Sequence, residues 1–138
     1  MMDRGVSVIV SACSLEMRPS IMRAVGSAMA PGGRSITVYL SRQQSRQLIQ
    51  DIASTGRIAV VFSEPSSHRT VQVKAAGAHI RCAEASDEPA LDCYVASMEK
   101  EIQRVGYAPA FTRAMLARRL TPGQSGRDER PFFLSADL

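Results

Sequence analysis

The sequence predicts a mixed α+β domain, built on a small antiparallel β-barrel with helices packed beside it. Two observations favour this fold class. Five strand-like segments are joined mostly by short, turn-rich connections, and one amphipathic helix is inserted after the third strand. Hairpin connections produce antiparallel pairing, whereas a doubly wound parallel sheet alternates strand and helix throughout. A chain of 138 residues is expected to form one domain around one core.

The first half of the chain contains three predicted strands and a helix. Strands are expected at residues 6–13, 21–26 and 35–40, and the breakers of residues 30–33 separate the last two. A helix is expected at residues 43–54. Ser41 and Gln44 have the spacing of a capping box at its start, and Gly56 follows it as a C-cap glycine would.

The second half begins with strands and ends with helices. Residues 57–63 are almost wholly apolar and are expected to lie in the centre of a sheet. A long strand is expected at residues 69–82, with Thr70, Gln72 and Lys74 on its polar face. Helices are expected at 87–105 and 109–118. The barrel domain is therefore assigned to residues 1–117, and residues 118–138 form a tail whose order stays open.

Composition limits the classes of function. The net charge of +4 comes almost wholly from scattered arginines, and tryptophan is absent, so we expect no nucleic-acid partner although the alternative of a small basic barrel stays open. The longest apolar run is too short for a membrane span. Cys13, Cys82 and Cys93 are read as reduced, mostly buried thiols of a cytoplasmic protein. His68 and His79 lack partners at metal-ligand spacing, so no metal is expected.

The corner between the third strand and the helix carries the most informative chemistry. Ser41, Arg42, Ser45 and Arg46 lie within six residues where the helix begins. Unpaired backbone N–H groups and the helix dipole favour an anion at this point, and a phosphomonoester suits the added hydroxyl and guanidinium groups. The alternative is an ordinary solvated helix start. Arg23 favours the anion site, because it lies in the second predicted strand with the apolar Ile21 and Val25 expected on the same face.

These features resemble a family, the FMN-binding split-barrel proteins related to pyridoxamine 5'-phosphate oxidase. The resemblance rests on PSIMRAV, VYLSRQQSRQL and GRIAVVFSEPSSHRTVQVKAAG, and on the strand order around them. It implies an antiparallel split β-barrel with flanking helices, and a homodimer with FMN in a cleft between the two subunits. The cofactor-binding residues that it implies are Arg23, Val25, Leu40, Ser41, Ser45, Arg46, Gln47, Thr70 and Gln72.

The chain also departs from the oxidase pattern. Gln47 and Ala28 stand where the oxidases have lysines, and the distal aromatic residue and arginine of the oxidases have no clear match. Oxidation of pyridoxamine 5'-phosphate itself is therefore not expected. The sequence favours a flavin-dependent oxidoreductase acting on an unidentified small molecule, and the alternative is a flavin-binding or storage module without turnover. No catalytic acid or base is assigned, and His68 is the best titratable candidate near the expected site.

Overall fold

The computed structural model describes residues 5–117 and 132–137 of the chain. This part contains eight strands and three α-helices, and a single 3-10 turn, Ala85–Asp87, precedes the second helix. The strands are β1 (Ser7–Cys13), β2 (Pro19–Arg23), β3 (Gly26–Met29), β4 (Ser35–Leu40), β5 (Ile58–Ser63), β6 (Thr70–Ala75), β7 (Ala78–Cys82) and β8 (Phe132–Asp137). The helices are α1 (Arg46–Thr55), α2 (Glu88–Arg104) and α3 (Pro109–Ala117).

The strands form two four-stranded antiparallel sheets. The first sheet has the order β2-β1-β5-β6, and the second has the order β3-β4-β8-β7. Two residues, Ala24 and Val25, separate β2 from β3, and Ala76 and Gly77 separate β6 from β7. The chain therefore passes from an edge of one sheet to an edge of the other at both sides. Every pairing is antiparallel, which confirms the predicted mixed fold with antiparallel sheets.

The main core lies between the sheets and α1. Its members are apolar side chains from both sheets and from the inner faces of α1 and α2, with Phe62, Leu40, Leu48, Ile52 and Met98 among the largest that are fully buried. Burial alternates along β5, as expected for a strand in the middle of a sheet. A smaller cluster of Val25, Tyr39 and Leu91 packs α2 against the second sheet.

Two predicted strands are each divided in the structure. The chain predicted as one strand over 21–26 belongs to β2 and β3, and the long strand predicted over 69–82 belongs to β6 and β7. In each case, continuous strand-forming residues mask the point at which the chain changes sheet. Because β2 ends at Arg23, the expected common face of Arg23 and Val25 is wrong: Val25 is wholly buried, while Ile21 is exposed.

Helix α1 begins later than the capping-box pattern predicts. Residues 42–44 form turns, and the N-cap is Ser45, not Ser41. The predicted C-cap is confirmed, because Gly56 adopts a left-handed conformation with φ of 67° and donates its N–H to Ile52 O. The helices predicted at 87–105 and 109–118 agree with α2 and α3, except that residue 118 lies outside the described residues.

Strand β8 lies in the part of the chain that the sequence left open. Its backbone pairs with β4 on one side and with β7 on the other, so the second sheet has no gap between these strands. Residues 118–131 of the predicted tail lie outside the described residues. Of the helices that are described, none has the length and apolar character needed to cross a membrane.

Candidate functional site

The first turn of α1 contains a buried hydroxyl group whose hydrogen bonding is incomplete. Ser45 is 1% exposed, and its Oγ has no hydrogen-bond partner among the described residues. It is the N-cap residue of α1, but its side chain caps no backbone N–H. Leaving a buried hydroxyl unpaired costs about 1–3 kcal/mol. A donor is thus held beside the N–H groups at the positive end of a ten-residue helix, where an anion is favoured.

Two other predicted site residues lie at the same corner. Ser41 follows β4 directly, and its carbonyl oxygen accepts the Ser45 N–H at 3.0 Å, which closes the turn before α1. Arg46 is the first residue of α1 and is exposed to solvent. The structure therefore brings Ser41, Ser45 and Arg46 together at one helix N-terminus, as the sequence predicts. The arrangement has hydroxyl, backbone N–H and guanidinium donors within one turn.

Gln47 contacts a carboxylate. Its Nε2 donates to Asp51 Oδ1 at 2.9 Å, one helical turn along α1. The other carboxylate oxygen of Asp51 accepts from Ser20 Oγ on β2 at 2.6 Å. Asp51 is buried, so these two donors compensate for part of its lost hydration. Gln47 thus orients the carboxylate that links α1 to β2, and sequence reasoning did not identify this pair of hydrogen bonds.

Val25 and Leu40 have wholly buried side chains, which belong to the smaller and the larger core cluster, respectively. The N–H of Val25 donates to Tyr39 O at 2.8 Å. Both residues are 0% exposed, so within the described structure neither offers surface to a ligand.

Arg23 lies on the other face of the first sheet from the core. Its Nη1 donates to Ser7 Oγ on β1 at 2.6 Å, and its side chain is half-buried. Ile9 on β1 is the residue paired with Arg23. The guanidinium group is therefore held by a neutral hydroxyl against the outer face of the sheet, whereas α1 packs on the opposite, core-facing side.

Thr70 and Gln72 lie on the opposite edge of that sheet from Arg23. Thr70 Oγ1 and Ser63 Oγ are 3.0 Å apart, and Gln72 is exposed. The paired residues Arg23, Ile9, Val61 and Gln72 form one row across four strands. With strands spaced about 4.8 Å apart, Arg23 and Gln72 are separated by roughly 14 Å. Within one chain, Arg23 therefore lies well apart from Thr70 and Gln72.

A charged cluster near the smaller core stabilises the start of α2. Both nitrogen atoms of the Arg81 fork lie 2.9 Å from the carboxylate oxygens of Asp87. These hydrogen bonds hold the pKa of Asp87 below its usual range. Burial, together with the nearby Asp87 charge, raises the pKa of the Tyr39 phenol. The cluster keeps the second sheet and α2 together beside Val25.

The cysteines and His68 lie outside this site. Cys13, Cys82 and Cys93 are free thiols, but the prediction that they are mostly buried is wrong for the exposed Cys82 and Cys93, which lie at a sheet end and on the outer face of α2. His68 is exposed and has a positive φ of 59°. Within residues 5–117 and 132–137, no group of three or more potential metal ligands comes together.

Known proteins resemble this chain in structure but not detectably in sequence. No protein-family model matches the chain, and no curated protein matches it by sequence. Solved structures do match. A HupZ variant from Group A Streptococcus superposes with a TM-score of 0.54 at 12% identity, and the match covers 99% of this chain and 89% of HupZ.

Two further matching structures are of proteins named after pyridoxamine 5'-phosphate oxidase. A pyridoxamine 5'-phosphate oxidase-related, FMN-binding protein from Nostoc punctiforme has a TM-score of 0.51 at 8% identity, over 95% of this chain and 70% of that one. A proposed pyridoxamine 5'-phosphate oxidase from Lactobacillus delbrueckii also has a TM-score of 0.51, at 10% identity over 95% and 78% of the two chains. The predicted resemblance in fold is confirmed: this chain has the fold of the split-barrel proteins related to pyridoxamine 5'-phosphate oxidase.

Proposed function

We propose that this protein binds FMN and acts as a flavin-dependent oxidoreductase on a small molecule. The observation that carries the proposal is the buried Ser45 hydroxyl, which has no hydrogen-bond partner among the described residues and lies at the N-terminus of α1. A phosphate oxygen would accept its hydrogen bond and would also meet the positive end of the helix. A free phosphate group would satisfy the same donors, so the flavin part of the proposal rests on the shared fold.

The residues around α1 fit the phosphate end of FMN. Ser41, Ser45 and the guanidinium group of Arg46 would supply donors to the phosphate, with the backbone N–H groups of the first helical turn. Gln47 is neutral and would add no charge, and its amide nitrogen already donates to Asp51. Val25 and Leu40, which are wholly buried in the core clusters, would support the site from below and would not contact the ring system. Bound FMN would supply hydride or electron transfer, and the protein would bind and orient it.

The separation of Arg23 from Thr70 and Gln72 within one chain supports a homodimer. Arg23 and Gln72 lie at opposite edges of one sheet, so in a shared cleft Thr70 and Gln72 of one subunit would lie near Arg23 of the other. The sheet face between them carries the half-buried Ile9 and Val61 and the exposed Ile21, which are suited to an apolar subunit contact. Light scattering on the purified protein should give the mass of two chains; a monomer that binds FMN would contradict the shared cleft.

Catalytic turnover of bound FMN can be tested separately from FMN binding. An oxidoreductase requires that bound FMN be reduced by a donor and then reoxidised. Mixing the FMN complex with NADH or NADPH and following the flavin absorption tests this directly. Bleaching followed by recovery in air supports the oxidoreductase, whereas a bound flavin that neither nucleotide reduces favours storage or sensing. The three free cysteines agree with the reducing cytoplasm that we propose as its location.

Binding itself is tested first on the protein as purified. The visible spectrum should show a flavin, and heat denaturation should release FMN, not riboflavin. A preparation that is colourless should take up added FMN with one molecule per chain. A colourless protein that fails to take up FMN would contradict the proposal and leave the start of α1 as an ordinary helix N-terminus.

A further inference from the structure

A separate pocket opens at the end of the first sheet that lies away from Arg23. It has a volume of about 540 Å³, which is within the range of pockets that hold small molecules. Its lining comes from the ends of three neighbouring strands, β1, β5 and β6, and the residues are Ser11, Ala12, Cys13, Arg57, Ile58, Ala59, Lys74, Ala75 and Ala76. None of them is among the residues assigned to the FMN site, and one chain forms the whole pocket.

The pocket is open because the side chain at its base is small. Ala59 is paired with Ser11 on one side and with Lys74 on the other, so an alanine lies at the centre of the row. Ala76 continues the small lining, while Ala12 and Ala75 border the pocket with their side chains packed against the main core. A larger side chain at Ala59 would fill the space above the strands. The lining is therefore apolar at its base and can accept a short hydrocarbon body.

Two cations share the rim of the pocket. Lys74 is paired with Ala59, and Arg57 lies two residues before Ala59 on the same strand segment. This diagonal relationship places their backbones about 7–8 Å apart, so both flexible side chains can reach one ligand. Both are exposed, and in the part of the chain that the structure describes neither side chain forms a hydrogen bond or an ion pair.

The polar groups of the lining are donors. No carboxylate belongs to the lining, and the remaining polar side chains are the Ser11 hydroxyl and the Cys13 thiol. Ser11 Oγ donates to Ala59 O at 3.4 Å, which is a long contact that a ligand oxygen can replace. Cys13 is free and half-buried. The pocket thus has the two positive charges of Arg57 and Lys74 and no carboxylate to neutralise them.

We propose that this pocket binds a small organic dianion with a short apolar body. Arg57 and Lys74 would contact the two negative charges, and the small lining at the base would contact the body. Dicarboxylates and phosphomonoesters share this chemistry, and the two cations suit both. The pocket uses no residue of the proposed FMN site, but it lies on the same sheet face, where Lys74 follows Gln72 and Ser11 is paired with Ile21 of the proposed subunit contact.

Calorimetric titration of the full-length protein with succinate and with glycerol phosphate tests the proposal. Saturable binding of one or both is expected, with Arg57→Gln and Lys74→Gln each weakening it at least fivefold. Arg34→Gln and Lys100→Gln, at exposed cations outside the pocket, are the matched controls and should leave binding unchanged. Binding of succinate alone or of glycerol phosphate alone identifies which dianion the pocket takes. Absence of binding for both compounds would overturn the proposal.

Alkylation of Cys13 locates the ligand. A saturating dianion should slow the reaction of Cys13 with neutral iodoacetamide, while the exposed Cys82 and Cys93 serve as internal controls in the same protein. The double variant that carries both Arg57→Gln and Lys74→Gln should lose this protection of Cys13. If the dianion binds without protecting Cys13, or if Arg46→Ala abolishes its binding while the pocket variants do not, the ligand occupies the α1 site and the proposal is wrong.

Discussion

Ser20 Oγ on β2 donates a 2.6 Å hydrogen bond to Asp51 Oδ2 on α1, 31 residues further along the chain. The same carboxylate accepts from Gln47, and it is 4% exposed. Asp51 therefore joins the helix to the first sheet through Ser20, while Gln47, on α1 itself, holds the carboxylate in place. Because α1 positions Ser45 and Arg46, this buried carboxylate positions the proposed phosphate site without touching it.

Replacing Asp51 by alanine should destabilise the fold. The change removes the acceptor of both Ser20 and Gln47 and leaves a gap between α1 and β2, so the free energy of unfolding should fall by about 2–3 kcal/mol. Urea denaturation measures this loss. Asp92→Ala, at an exposed aspartate of α2, is the matched control and should change stability by less than about 0.5 kcal/mol. Equal stability of the two variants would show that Asp51 does not anchor α1.

Ser45→Ala should have opposite effects on stability and on FMN affinity. Since its Oγ has no partner among the described residues, alanine should leave the FMN-free protein as stable as before, or up to about 1 kcal/mol more stable. FMN affinity should fall about tenfold, because one charge-assisted hydrogen bond to phosphate is lost. Ser54→Ala, at the exposed end of α1, is the control for titration and denaturation. A large loss of stability without FMN would mean that Ser45 serves the fold.

Arg46→Ala should weaken FMN binding about ten- to a hundredfold, since charge-assisted contacts of one guanidinium group are worth roughly 1.5–3 kcal/mol. Because Arg46 is exposed, thermal stability without FMN should stay nearly constant. Flavin fluorescence titration gives the affinity. Arg34→Ala, on the turn between β3 and β4, controls for the loss of one positive charge. Unchanged FMN affinity in Arg46→Ala would remove this residue from the phosphate site.

The Arg81–Asp87 pair should make stability depend on pH in the acid range. The pKa of Asp87 is lower in the folded protein, so its stabilising contribution is complete above the unfolded pKa and is lost as pH falls through the folded pKa. The stability difference between the wild type and Asp87→Asn should therefore shrink as pH is lowered from about 6 to about 2. Guanidinium denaturation over this range measures it. A constant difference would mean that the effect of Asp87 does not depend on its charge.

Helices, strands and caps that depend on a local residue pattern could be predicted from the sequence. The points at which the chain passes from one sheet to the other could not. Gly56 was correctly identified as a C-cap because only its backbone conformation had to be inferred. By contrast, Ala24 and Val25 look like strand residues, and nothing in their types signals that the ladder ends there. The start of α1 was misplaced because Ser41 and Gln44 have the capping-box spacing, while the turn from Ser41 to Ser45 delays the helix.

For the site, residues that share a stretch of sequence were predicted more readily than residues joined by folding. Ser41, Ser45 and Arg46 lie on one corner, so the structure necessarily keeps them together. The contacts of Arg23 with Ser7 and of Asp51 with Ser20 depend on strand register and helix placement. One sequence signal was available for Asp51, since it lies on the apolar face of the helix beside Leu48 and Ile52.

The most direct test of the central claim compares FMN with riboflavin, which lacks the phosphate group. Titration of the flavin-free protein with each ligand gives the contribution of the phosphate to binding. The proposed site at α1 predicts that FMN binds at least tenfold more tightly than riboflavin in the wild type, and that Ser45→Ala reduces this ratio. Equal affinity for the two flavins, or no binding of either, would contradict a phosphate site built on Ser45 and Arg46.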